Sequence, residues 1–321
     1  VSQIYPNDFW YLTAWRQENN IKFIRAHATS DIPPVVSSLT NNTSLSPVVR
    51  DTDPAVDVTQ YSHSVAGVTF IRDEESTTDG KHRYNVLFSR IGDGGALLTP
   101  TPLNLTQNNL WWDGITSGVP YYYEPHITSI ENRYVLSWVT NFVDEETTNS
   151  YAQITIAAYD ENGAQVTAPY SVVESSAAIA YFSPQIARFD DSKIFLTYFS
   201  HEPEAVGDKY KLWLKILDGN GRNPSAAKLI DATHGDSLDM VKIGDKMFMA
   251  WSNNLTDRIS HVFINSDGTL STAIQDLESP DGRRMDTVSV TYAYPPIITN
   301  PGASLTWENP QADRLYYAMI N

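Results

Sequence analysis

Val135-Leu136-Ser137-Trp138 is the stretch whose reading decides the fold, because the same four-residue pattern returns along the whole chain. Leu12-Thr13-Ala14-Trp15, Gly67-Val68-Thr69-Phe70, Phe195-Leu196-Thr197-Tyr198, Phe248-Met249-Ala250-Trp251 and Ser304-Leu305-Thr306-Trp307 bring the count to six. Each segment ends in an aromatic residue preceded by a small one. From one aromatic to the next the intervals are 55, 68, 60, 53 and 56 residues, a period that fits one four-stranded antiparallel sheet with its loops. Side chains alternate along a strand, so each aromatic shares a face with the residue two before it, while Ala14, Thr69, Ser137, Thr197, Ala250 and Thr306 project the other way. Every sheet then has a bulky face and a small face. Stacking bulky on small lets neighbouring sheets interdigitate without voids.

The remaining strands arrange themselves around this second one. Before it lie Gln3-Ile4, Ala55-Val56, His126-Ile127, Gln185-Ile186, Asp239-Met240 and Thr287-Val288, each a polar or small residue followed by an apolar one, read as the innermost strand. After it come alternating runs at Tyr84 to Ile91, Ala152 to Tyr159, Lys211 to Leu217, Ile259 to Ile264 and Leu315 to Ile320. Four of these lead into Gly92-Asp93-Gly94-Gly95, Asp160-Glu161-Asn162-Gly163, Asp218-Gly219-Asn220-Gly221 and Asn265-Ser266-Asp267-Gly268. Asp, Asn and Gly tolerate positive φ, so these are hairpin turns from third to fourth strands. No long helical period is present.

With these repeats and turns the chain resembles the β-propeller superfamily, and its Asp and Gly turns are similar to the Asp-box turns of sialidase-like propellers. The resemblance implies an all-β, six-bladed β-propeller of four-stranded antiparallel blades over residues 1–321, with blades near 1–50, 51–112, 113–177, 178–232, 233–279 and 280–321. Asn265-Ser266-Asp267-Gly268-Thr269 departs from the Asp-box spacing, and no Arg-Ile-Pro segment of the sialidase kind is present. The catalytic arginines, tyrosine and carboxylates of sialidases therefore do not carry over.

Composition narrows the partners. The 321 residues are 41% hydrophobic with a mean hydropathy of -0.32, enough apolar side chain for a sizeable core. No run of eighteen apolar residues occurs, so no helical membrane insertion is expected. The absence of cysteine excludes a disulfide scaffold, a thiol nucleophile and thiolate metal sites. A net charge of -16 and a pI near 4.7 argue against nucleic acid, whose binding needs clustered Lys and Arg. The missing cysteines lead to the expectation of a secreted or cell-surface chain, and a start at Val1 without methionine to that of a processed mature chain or an excised domain.

Candidate chemistry gathers on the blade-to-blade connections. The one into the third blade carries Trp111-Trp112-Asp113 and then Tyr121-Tyr122-Tyr123-Glu124 beside His126. Aromatic planes stack on sugar rings and adjacent carboxylates accept bonds from sugar hydroxyls. The matching connections add Tyr181 and Phe182, His234 with Asp236, and Arg283-Arg284 next to Asp286. The predicted ligand-binding set is Trp111, Trp112, Tyr122, Glu124, His126, Tyr181, Asp236 and Arg284. The predicted catalytic candidates are Asp113, Glu124, Asp236 and Asp286, since glycoside hydrolysis needs two flanking carboxyls. Glu18, Asp73, Glu74, Glu75, Asp79, Glu202, Asp257 and Glu308 are among the carboxylates expected on the rim between second and third strands. Solvated charge explains that rim, with calcium capture as the alternative, but no Asp-x-Asp-x-Asp-Gly loop marks a specific site and no cofactor or metal is assigned.

The leading expectation is a non-catalytic, lectin-like domain for carbohydrate binding or adhesion, its partner a glycan or a cell-surface protein. A glycoside-active hydrolase ranks second and a structural or filament subunit third. Leu315 to Asn321 aligns with Ile259 to Asn265, so the sequence stops where the next hairpin turn should begin and the last blade lacks its fourth strand. Such an edge is expected to be capped by self-association, by a longer natural sequence, or by the irregular segment between Asp31 and Val49.

Overall fold

A computed structural model describes residues 2–3, 10–27, 35–43, 47–58, 65–92, 95–112, 119–143, 150–173, 179–202, 209–235, 237–278, 285–293, 302–309 and 314–320. The regular structure is all β, without an α-helix among the described residues. The first sheet holds β1 (Ser2–Gln3), β2 (Trp10–Gln17), β3 (Asn20–His27) and β4 (Val36–Ser38). The second holds β5 (Val48–Val58), β6 (Ala66–Glu75), β7 (His82–Ile91) and β8 (Leu103–Asn104). The third holds β9 (Tyr121–Ile130), β10 (Arg133–Val143), β11 (Ser150–Asp160) and β12 (Gln165–Val173). The fourth holds β13 (Ala180–Asp190), β14 (Lys193–Glu202), β15 (Lys209–Asp218) and β16 (Lys228–Asp231). The fifth holds β17 (Leu238–Ile243), β18 (Lys246–Asn253), β19 (Arg258–Ile264) and β20 (Gln275–Leu277). The sixth holds β21 (Asp286–Ala293), β22 (Gly302–Asn309) and β23 (Arg314–Ile320).

Six antiparallel sheets in chain order, the last with three strands, are the blades of the β-propeller that the repeat predicts. Each aromatic repeat lies on the second strand of its sheet. By contacts the chain divides into two compact units, Val1–Pro184 and Gln185–Asn321.

Within the first unit the two faces behave as the alternation predicts. Val68 and Phe70, the bulky face of β6, share a core cluster with Leu12 and Ala14 of β2. Tyr134, Leu136 and Trp138, the bulky face of β10, pack against Ile71, Val86 and Phe88 of the second sheet. The fit is close at Gly67, where an added Cβ would lie 2.8 Å from Ile127 Cδ1 and from the Tyr134 ring. That ring is fully buried and its hydroxyl donates to the Val65 carbonyl at 2.9 Å, so it has little room to retreat. Gly67→Ala is therefore expected to cost about 1–3 kcal/mol through overpacking, read from the urea midpoint. In the second unit Trp307 and Leu305 meet Phe248 and Ala250 in the same way.

The hairpin turns form as their residues dictate. Asp160 Oδ1 accepts from the N–H groups of Asn162 and Ala164, both at 2.8 Å, and Gly163 takes φ +84°. Asp218 does the same for Asn220 and Arg222, with Gly221 at φ +69°. These are side-chain caps on positive-φ turns. The Asp31 to Val49 segment is corrected: its described part supplies β4, which pairs with β3 through Lys22↔Ser38 and so completes the first sheet, not the sixth.

Candidate active site

The first unit places carboxylates on two consecutive innermost strands, each at a break in register. In β5 the pairing with β6 slips between Thr52 and Ala55, so Asp53 and Pro54 together oppose Phe70. In β9 the pairing with β10 slips between Tyr123 and His126, so Glu124 and Pro125 oppose Trp138. Both are β-bulges facing the repeat aromatic, two residues against one. Proline cannot donate to the ladder, which favours a bulge at that point. Asp53 and Glu124 each take φ +51°, and Ser183, which precedes Pro184 in β13, takes φ +48°. A left-handed non-glycine residue costs on the order of 1–3 kcal/mol and such strain clusters at functional sites. Here it occurs at three residues that each precede a proline and an innermost-strand pair.

The bulges re-aim the side chains. Ser183 N–H donates to Glu124 Oε2 at 2.5 Å. Burial pushes the Glu124 carboxyl up to about 6, opposed by the Ser183 bond and assisted by the charge of Asp53. Asp53 is exposed. Ser129 N–H donates to Asp57 Oδ2 at 2.6 Å, tying β9 to β5 just beyond the two bulges.

An aromatic stack holds the approach to Glu124. Tyr121 lies between Trp112, at 5.4 Å and 24°, and Tyr123, at 5.2 Å and 27°, and its ring meets Tyr84 edge-on at 4.5 Å. Burial, followed by the charges of Asp53, Asp73 and Glu124, raises the Tyr121 pKa, so the phenol stays protonated beside the carboxylates. Tyr123 hydroxyl donates to the Tyr181 carbonyl at 3.4 Å. His82 and Trp112 exchange backbone hydrogen bonds of 2.7 and 2.6 Å, which pin the long connection to β7.

The predicted site residues fall into separate groups. Glu124 sits in the bulge. Trp111 lies under the Arg83 guanidinium, 4.8 Å from the ring centroid, and Trp112 has its face against Tyr121. Tyr122 points into the core with Leu136 and Trp138, where burial pushes its pKa up to about 12. Tyr181 is buried and contributes its carbonyl. Burial pushes His126 down to about 4, so its ring is neutral at pH 7. Asp113, Asp236 and Arg284 lie outside the described residues, and of Asp286 only the backbone is described, opposite Glu308 in the second unit. Asp53 was missed by the sequence reading. The signal for it was Asp53-Pro54, Glu124-Pro125 and Ser183-Pro184, each immediately before an innermost-strand pair.

Asp73, Glu74 and Glu75, the first rim carboxylates of the second sheet, are strand residues with partners. Arg50 pairs with Glu75 at 2.5 Å and Asp73 at 3.5 Å, His82 Nδ1 meets Asp73 Oδ1 at 2.7 Å, and Arg83 pairs with Glu74. No group of three metal-ligating side chains is found among the described residues.

Neither a family model nor a curated protein matches the chain. Solved structures do. An α-L-arabinofuranosidase from Fusarium graminearum, in complex with an iminosugar inhibitor, aligns with a TM-score of 0.62 at 11% identity, covering 99% of this chain and 90% of that one. A Hadza microbial sialidase aligns at 0.56 and 11% identity over 100% of this chain and 64% of its own. An ulvan lyase bound to its oligosaccharide aligns at 0.54 and 9% identity, over 98% and 79%. At these identities the likeness establishes the fold.

The expectation of a non-catalytic binding or adhesion domain is corrected. The three solved structures named above are an arabinofuranosidase, a sialidase and an ulvan lyase, which favours the catalytic alternative over the non-catalytic one. Trp111 and Trp112 are half-buried, the first beside Arg83 and the second against Tyr121. The lectin-like and filament readings gain no support from these neighbours.

Proposed function

We propose that this chain is a glycoside hydrolase, with Glu124 as general acid and Asp53 as the second carboxylate, acting as nucleophile or base. Glycosidic cleavage needs one carboxyl that is still protonated near neutrality and a second that is ionised opposite it. The observation that carries the reading is the pair of consecutive X-Pro bulges, which spend backbone strain to present Glu124, buried and raised to about 6, near the charge of the exposed Asp53. The carbohydrate-cleaving neighbours support the substrate class.

In the proposed reaction the Glu124 proton moves to the glycosidic oxygen as the bond to the anomeric carbon breaks. Ser183 N–H already occupies Oε2, which leaves Oε1 to carry that proton. Asp53 either attacks the anomeric carbon or deprotonates the water that does. Protonated Tyr121, locked between Trp112 and Tyr123, supplies a neutral hydroxyl beside both carboxylates. The test is a panel of aryl glycosides and plant, algal and bacterial polysaccharides assayed for reducing ends, with Asp53→Asn and Glu124→Gln alongside. Activity that both substitutions abolish supports the proposal; activity that survives both overturns it.

The same group leaves a thermodynamic mark. Folding raises the Glu124 pKa from 4.5 to about 6, so the folded state binds more protons across that window. Stability from this group is present below pH 4.5 and is lost as pH rises through 6. Glu124→Gln is therefore expected to stabilise the protein at pH 8 by up to about 2 kcal/mol and to be near neutral at pH 4, measured by urea unfolding at both values.

A further inference from the structure

The third left-handed X-Pro residue, Ser183, differs from the other two. Asp53 and Glu124 carry carboxyls at this position, whereas Ser183 carries a hydroxyl, yet its backbone is strained in the same sense, φ +48°. Strain without a carboxylate to present calls for another use. Ser183 donates its backbone N–H to Glu124 Oε2.

We infer that Ser183 is a positioning residue for Glu124, and that it acts through its left-handed backbone, which aims its N–H at Oε2, and not through its hydroxyl. This rests on the role proposed above for Glu124. Proline at position 184 favours an extended conformation for the residue before it, so the left-handed state at Ser183 is held against local preference by the surrounding strands. Glu124 is itself left-handed, which brings its side chain back along the strand to meet that N–H. The two strained residues thus fix the carboxyl from opposite ends: one sets where the side chain starts, the other where Oε2 is anchored. The bond also favours the charged form, opposing the upward push of burial, so it keeps the carboxyl near 6.

The test compares variants that keep the left-handed backbone with variants that lose it or its N–H. Ser183→Gly and Ser183→Asn both accept positive φ and remove the hydroxyl. Ser183→Val is β-branched and rejects it. Replacing residue 183 by its α-hydroxy analogue turns the N–H into an ester oxygen without changing the side chain. The readout is the carbon-13 titration of the Glu124 carboxyl, which needs no substrate. The Gly and Asn variants are expected to titrate with the wild type, while the Val and ester variants shift upward by about one pH unit. Should Ser183→Val fail to fold, the ester and Asn variants decide alone. An upward shift in the Gly and Asn variants, or an ester variant that titrates with the wild type, overturns the inference. Because the readout is a difference among titrations, it can fail while Glu124 remains the acid and hold if Glu124 proves not to be.

Discussion

Glu124→Gln is expected to lower kcat/KM by about 10²- to 10⁴-fold on substrates with poor leaving groups, the range that a positioned general acid contributes. The side chain keeps its shape and can still accept from Ser183, so the fold around the bulge persists. What disappears is the proton. In the wild type that proton is lost as pH rises through about 6, so kcat/KM should decline about tenfold per pH unit above that value. His126, held neutral by burial, has no proton to substitute at neutral pH. Steady-state assays across pH 4–9 check both the loss and the limb.

Asp51→Ala is expected to cost about 3–5 kcal/mol, the penalty for stranding one member of a buried ion pair. Asp51 has no exposed surface. It accepts from Arg72 Nε at 2.8 Å, Arg72 Nη2 at 3.0 Å and Asn42 Nδ2 at 2.7 Å. Asn42 also donates its side-chain N–H to the Asn19 carbonyl at 2.7 Å and its backbone N–H to Asn20 Oδ1 at 2.5 Å, while Asp51 N–H also donates to the Asn19 carbonyl. One carboxylate thus fastens the start of β5 to β6 and to the β2–β3 turn, two residues before the Asp53 bulge. Removing it leaves the Arg72 guanidinium partly buried and uncompensated. Adding Arg72→Met to the Asp51→Ala background should recover a large part of the loss, because the unpaired charge is then gone. Urea unfolding of the two single variants and the double variant measures the coupling.

The framework was legible because period-two alternation and a recurring aromatic are properties of unbroken strands. Thr69 between Val68 and Phe70, or Ser137 between Leu136 and Trp138, is enough to assign faces, and the core clusters follow that assignment. The site was harder for the same reason. At Asp53 and Glu124 the register breaks, and past a bulge alternation no longer tells which way a side chain points. Tyr122 therefore passed for a ligand-facing residue although it fills the core. The X-Pro dipeptides carried the missing signal, but a residue before proline is ordinarily read as extended, and φ +51° is held there by tertiary structure. Asp73, Glu74 and Glu75 looked like a loop rim because charge is commonest in loops. They are strand residues whose partners, Arg50, Arg83 and His82, lie on the adjacent strands.

The proposed role of Glu124 as proton donor is tested most directly by the leaving group. On the glycone identified by the substrate panel, Glu124→Gln should be compared with wild type using a methyl or sugar aglycone and using 2,4-dinitrophenol, which departs without protonation. The account predicts the full 10²- to 10⁴-fold loss on the first and recovery to within about tenfold of wild type on the second. An equal loss on both substrates would contradict it.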